Sequence, residues 1–176
     1  MTSYNLKSVA AVLIPNLGGL IIGREITKAN LDSWYNKLKL PGWRPPNWVF
    51  GPVWTSLYTG MGYASYLVYK DCGGFSEAAT LPMALYGTQL ALNWVWTPIF
   101  FGRHNIKGVS CYSGLYDMLA LTATASACAA SFYRVNPLAG YLLLPYVAWL
   151  GFATFLNYTI LKMNPESKEL TKKKKH

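Results

Sequence analysis

Trp54, Asn93, Trp96 and Trp149 stand out in this chain because each lies inside a stretch free of charged residues. Indole rings offer flat apolar area for stacking on a planar ligand, and an amide can orient that ligand by a hydrogen bond. Gln89, Asn93 and Trp96 follow one another at spacings of four and three residues, so they share one helical face. Unpaired amides are costly in an apolar medium, so this face should turn inward. Gln89 alone reads more readily as glue between helices than as a site. Asp117 is the one acid within a charge-poor stretch. An acid at such depth points to function, the plain alternative being a neutral or paired carboxylate near an interface. Other chemistries lack their residues. His104 and His176 have no partners, Cys72, Cys111 and Cys128 lack metal-ligand spacing, and there is no Gly-rich phosphate loop. No second carboxylate accompanies Asp117 within a span. No catalytic residue, cofactor or metal is assigned, and the residue set is one for binding.

The elements that position these residues follow from where charge is missing. Apolar residues make up 52% of the 176, and charged residues 13%, about half of what a soluble domain carries. This excludes a disordered chain, and three cysteines exclude a disulfide scaffold. Residues 8–23, 45–69, 78–102 and 135–161 hold no charge, and 108–133 hold only Asp117. The pattern predicts an all-α integral membrane protein, a bundle of five transmembrane helices at roughly 6–23, 48–69, 80–101, 110–133 and 138–161. Leu81–Phe101 and Pro137–Leu161 lack the polar stripe of a soluble helix and the alternation of barrel strands. Pro15, Gly18 and Gly19 interrupt the first span, which is unlike a cleaved signal.

Five spans put the termini on opposite sides. Lys7, Lys70 and Arg134 fall on the N-terminal side, and the thirteen other basic residues on the opposite side. The bias predicts a cytosolic C-terminus and a cytosolic loop 24–47. The net charge of +9 then reports topology rather than a nucleic-acid partner. Loop 24–47 carries an amphipathic stripe of Leu31, Trp34, Tyr35 and Leu38, and reads as a lid on the bundle. Cys72-Gly-Gly marks a tight turn, and residues 164–176 read as a basic, disordered cytosolic tail. With these directions Trp54, Asn93, Trp96, Asp117, Trp149 and Asn157 converge toward the cytosolic half, walling an aromatic pocket under the lid. Gly19-Leu-Ile-Ile-Gly23 and Ala84-Leu-Tyr-Gly-Thr88 fit either a homodimer or close packing within the bundle.

Three blocks carry a resemblance. Trp43-Arg-Pro-Pro-Asn-Trp-Val-Phe-Gly-Pro-Val-Trp54, Gln89-Leu-Ala-Leu-Asn-Trp-Val-Trp-Thr-Pro-Ile-Phe-Phe101 and Pro145-Tyr-Val-Ala-Trp-Leu-Gly-Phe-Ala-Thr-Phe-Leu-Asn-Tyr158 resemble the translocator protein family, also called peripheral benzodiazepine receptors or tryptophan-rich sensory proteins. The resemblance implies a membrane receptor or transport-type protein that binds cholesterol, porphyrins such as protoporphyrin or heme, and benzodiazepine-type drugs. It implies sterol or tetrapyrrole trafficking, and the mitochondrial outer membrane. The family's pocket positions match Gly23, Ile26, Phe50, Gly51, Val53, Trp54, Asn93, Trp96, Trp149, Phe152, Ala153 and Leu156. Leu156, Tyr158 and Lys162 fit its cholesterol motif, though an ordinary interfacial Tyr and Lys give the same pattern. The sequence departs from the family where Ser113 stands for a pocket Trp of mammalian members. Lys173 and Lys174 resemble a dilysine signal, which makes the endoplasmic reticulum the alternative location. Two alternatives to a binding protein stay open: an enzyme degrading porphyrin in light through Trp54 and Trp149, and a scaffold for partner proteins.

Overall fold

The computed structural model describes residues 6, 9–19, 21, 35, 38–102 and 112–164. Among them are five helices and no strand: α1 (Val9–Gly19), α2 (Asn47–Asp71), α3 (Glu77–Gly102), α4 (Ser113–Val135) and α5 (Pro137–Met163). Helices of 23 to 27 residues rise about 1.5 Å per residue, enough to exceed a hydrocarbon core of ~30 Å. α4 and α5 are both long and apolar enough to cross a membrane. α2 and α3 match them in length but draw on Trp, Tyr, Gly, Pro, Gln and Asn, so hydropathy singles out two of the five expected spans. Leu81, Leu119, Leu138, Leu144 and Phe155 are more than half exposed. Such an apolar exterior suits lipid, which does not penalise it.

The turns follow local chemistry. Gly73 and Gly74 take φ of 72° and 107°, the left-handed region that only Gly enters freely. There the Gly74 amide donates to Tyr69 O at 2.8 Å, closing α2. α4 and α5 are joined by Asn136 alone, whose Oδ1 accepts from the Ala139 amide at 3.2 Å while Pro137 opens the helix. Asn136 Nδ2 also donates to Asp71 Oδ2 at 2.6 Å, tying this turn to the end of α2.

Packing is most extensive between α4 and α5 and between α3 and α4, then between α2 and α5; α2 and α3 touch far less. Met61, Leu121, Phe132, Leu143 and Leu150 form the fully buried centre. α1 lies against both α2 and α3, because its Gly18 abuts Trp94 and its Gly19 abuts Tyr58. A Cβ on Gly62 would fall 2.4 Å from Ala11 O, so α1 and α2 approach backbone to backbone there. Gly19 is therefore used within the bundle, Ala84 and Thr88 are exposed on α3, and Gly23 lies outside the described residues.

A buried polar chain pins three helices together. Tyr58 Oη donates to Asn93 Oδ1, Asn93 Nδ2 donates to Tyr146 Oη at 3.1 Å, and Tyr146 Oη donates to Gln89 Oε1 at 2.7 Å. Gln89 Nε2 ends the chain on Met61 Sδ at 3.8 Å. Gln89 thus links α3 to α2 and α5, the role of a buried amide between apolar helices.

Candidate ligand-binding site

Because α2 leans on α5 and α3 on α4, a gap opens at the end of the bundle where α2 begins and α3 and α5 finish. It is a cavity of about 510 Å³, within the usual size range of small-molecule sites. Phe50, Gly51 and Trp54 of α2, Asn93 and Trp96 of α3, and Trp149, Ala153 and Leu156 of α5 line it. Val53 and Phe152 are not among the walls. Phe152 packs on Trp149 at 5.2 Å between ring centroids and on Trp43 at 5.8 Å. Gly23 and Ile26 lie outside the described residues.

Aromatic rings in contact make up much of the wall. Trp96 stacks on Phe100 at 4.8 Å, Phe50 meets Trp149 edge-on at 5.8 Å, and Trp54 tilts on Tyr58 at 5.4 Å. The amides differ in a way that spacing alone does not reveal. Asn93 has its oxygen engaged by Tyr58 and its nitrogen by Tyr146. Asn157 also lines the cavity, is 3% exposed, and finds no hydrogen-bond partner for Oδ1 or Nδ2 among the described residues. The indole N–H groups of Trp96 and Trp149 are likewise buried and without a partner among the described residues. Each such group costs about 1–3 kcal/mol while unmatched, so this end of the cavity favours an occupant with hydrogen-bonding groups.

Asp117 is absent from the walls, although the next residue, Met118, is one of them. Its Oδ2 is buried without a partner among the described residues. Leu156, Tyr158 and Lys162 do not come together as one patch. Leu156 is buried at the cavity, whereas Tyr158 and Lys162 are exposed, with Lys162 Nζ 5.0 Å from the Tyr158 ring. Helical geometry requires this split, since two residues turn the helix about 200° and four bring it back.

Tyr35, Arg44, Tyr58, Phe100 and Phe101 also wall the cavity, and sequence reasoning did not single them out as site residues. The signals existed: Arg44 stands inside the Trp43–Trp54 block, Tyr35 in the amphipathic stripe, and Phe100 one turn after Trp96. Arg44 Nε donates to Tyr35 Oη at 2.9 Å, and Nη2 donates to Asn47 Oδ1. Its guanidinium lies 5.1 Å from the Tyr35 ring centre and 5.6 Å from that of Phe50. Burial pushes the Tyr35 phenol above its ordinary pKa, outweighing the opposite pull of Arg44. Tyr35 therefore keeps its proton at neutral pH, and the positive charge of Arg44 is not cancelled by it.

Residues 38–46 are held to α5 from outside. Trp43 stacks on Phe155 at 5.4 Å, the Lys39 amide donates to Asn164 Oδ1 at 2.9 Å, and Asn164 Nδ2 donates to Lys39 O at 2.9 Å. Asn164→Ala removes both hydrogen bonds, about 1 kcal/mol each. Tryptic cleavage after Lys39 should then quicken roughly thirtyfold, because proteolysis follows the opened population. An unchanged cleavage rate would show that the Asn164 clamp does not hold the segment.

The sequence model of the TspO/MBR family matches residues 11–163. The chain belongs to the TspO/MBR family. It is 47% identical over 159 residues to the translocator protein of Homo sapiens and 44% identical over 159 residues to that of Sus scrofa, with 90% of each chain covered in both cases. It is also 39% identical over 143 residues to the tryptophan-rich protein TspO of Chlorobaculum tepidum, covering 81% of this chain and 87% of that one. The resemblance carried by the three Trp-rich blocks is thus borne out over nearly the whole chain. TspO/MBR membership and the two apolar helices α4 and α5 make this an integral membrane protein. All described walls of the cavity lie within the matched residues.

Proposed function

We propose that this chain is a five-span membrane protein of binding and transport type. It takes a flat apolar ligand, a sterol or a tetrapyrrole, from the bilayer into the aromatic cavity. The segment 24–47 acts as its cytosolic lid, the C-terminal tail is cytosolic, and the mitochondrial outer membrane is its location. The cavity itself carries this reading: a volume of about 510 Å³ walled by Trp54, Trp96, Trp149 and Phe50, with the amide of Asn157, without a partner among the described residues, in its wall. Stacked indoles supply sequence-tolerant apolar contact to a planar ring system, and one amide supplies orientation. Asn93 supports the site differently, by holding Tyr58 and Tyr146 in place through its two hydrogen bonds. The name of these relatives, translocator protein, fits a transport-type role better than an enzymatic one.

Titrating the purified full chain with cholesterol, protoporphyrin and heme tests the reading. Saturable binding of at least one, with Kd at or below about 10 μM, or roughly −7 kcal/mol, is the expected result. Absence of saturable binding to all three would overturn it and favour a scaffold.

A further inference from the structure

We infer that Arg44 makes the cavity selective for apolar ligands that carry a carboxylate. The inference rests on the cavity being a ligand site and goes further by naming the ligand's polar group. Arg44 is the one charged side chain among the described walls. Among the described walls no carboxylate accompanies it, and Tyr35, which it donates to, stays neutral. A guanidinium has five N–H donors. The described contacts use one on Tyr35 and one on Asn47, leaving others for a ligand.

The group is also held in place. The Tyr35 and Phe50 rings flank it at 5.1 and 5.6 Å, and Phe50 in turn meets Trp149 edge-on at 5.8 Å. A planar ligand lying along Trp149 therefore ends one ring away from a pre-positioned cation. Arg is suited to this because its fork matches the two oxygens of a carboxylate, and a charged hydrogen bond partly shielded from water is stronger than a neutral one. A neutral ligand leaves the cation without a counter-charge among the described walls, so the site discriminates by charge as well as by shape.

The test compares each acid with its neutral counterpart on two frameworks: protoporphyrin with its dimethyl ester, and cholesteryl hemisuccinate with cholesterol. The full chain should bind the acid at least tenfold more tightly than the neutral form on the framework it accepts. Arg44→Gln should bring that ratio to within about twofold by weakening only the acid, and Arg44→Lys should retain part of it. An acid-to-neutral ratio unchanged in Arg44→Gln overturns the inference. So does an equal loss for both ligands, which would make Arg44 only a clamp on Tyr35 and Asn47. If Arg44→Gln does not fold, a ratio near one in the unsubstituted chain overturns it. Trp149→Ala separates the two proposals: loss of acid and ester together, with the ratio kept, supports the cavity whatever Arg44 does.

Discussion

Trp149→Ala should weaken protoporphyrin binding at least tenfold, a change of about 1.4 kcal/mol. Trp149 contributes its ring to the cavity wall, and Phe50 and Phe152 brace it at 5.8 and 5.2 Å. Stacking one face of an indole buries on the order of 100 Å² of apolar area, roughly 2.5 kcal/mol at 25 cal/mol/Å². Part of this is offset by water or lipid filling the space, which leaves tenfold as the lower bound. Trp149→Phe keeps an aromatic wall and should lose less. Quenching of the remaining tryptophans by added protoporphyrin reads the affinity. An affinity equal to that of the unsubstituted chain would remove Trp149 from the site.

Gly140→Ala should lower thermal stability by roughly 4–8 °C. A Cβ at Gly140 would sit 2.5 Å from Tyr133 Cβ, 2.7 Å from Tyr133 Cα and 3.0 Å from Tyr133 N. Two of these are backbone atoms, so no rotamer change relieves the clash, and the start of α5 must move off the end of α4. The one-residue turn at Asn136 leaves little slack, and α4 on α5 is the most extensive contact of the bundle. Overpacking costs typically 1–3 kcal/mol and more where the backbone must shift. Replacing Gly by Ala inside a helix returns about 1 kcal/mol. A net loss near 2 kcal/mol corresponds to the stated shift for a chain of this size. Gly151→Ala is the control: a Cβ there meets nothing within 4 Å, so only the propensity gain remains and stability should hold or rise. A melting temperature for Gly140→Ala within one degree of the parent, measured by light scattering or intrinsic fluorescence in one detergent, would refute the packing account.

Several features of the fold are legible one segment at a time. Cys72-Gly-Gly predicts a turn because only Gly enters positive φ freely, and the two glycines do so at 72° and 107°. The three- and four-residue spacing of Gln89, Asn93 and Trp96 places them on one face, and Gln89 and Asn93 are both buried. The opposition of Leu156 to Tyr158 and Lys162 is also implied by helical spacing, but a linear motif conceals it. The roles within the polar set are a different matter. Asn93 and Asn157 are the same residue type at similar depth, yet one makes two hydrogen bonds and the other none among the described residues. The difference lies in Tyr58 and Tyr146, which are 35 and 53 residues from Asn93.

By itself, then, the sequence determined the apolar helices, the Gly73-Gly74 turn and the inward face of α3, because charge distribution, periodicity and Gly signals act within a few residues. The three Trp-rich blocks also identified the family. The tertiary structure alone decided that Arg44 is a wall of the cavity, that Asn93 is engaged by Tyr58 and Tyr146 while Asn157 finds no partner among the described residues, and that Phe152 braces Trp149 instead of lining the space. It also set Asp117 apart from the walls. These outcomes depend on how α2 leans on α5 and α3 on α4. Such leaning is set by close packing at contacts such as Gly140 on Tyr133 and Gly62 on Ala11, between residues whose meeting no local pattern encodes.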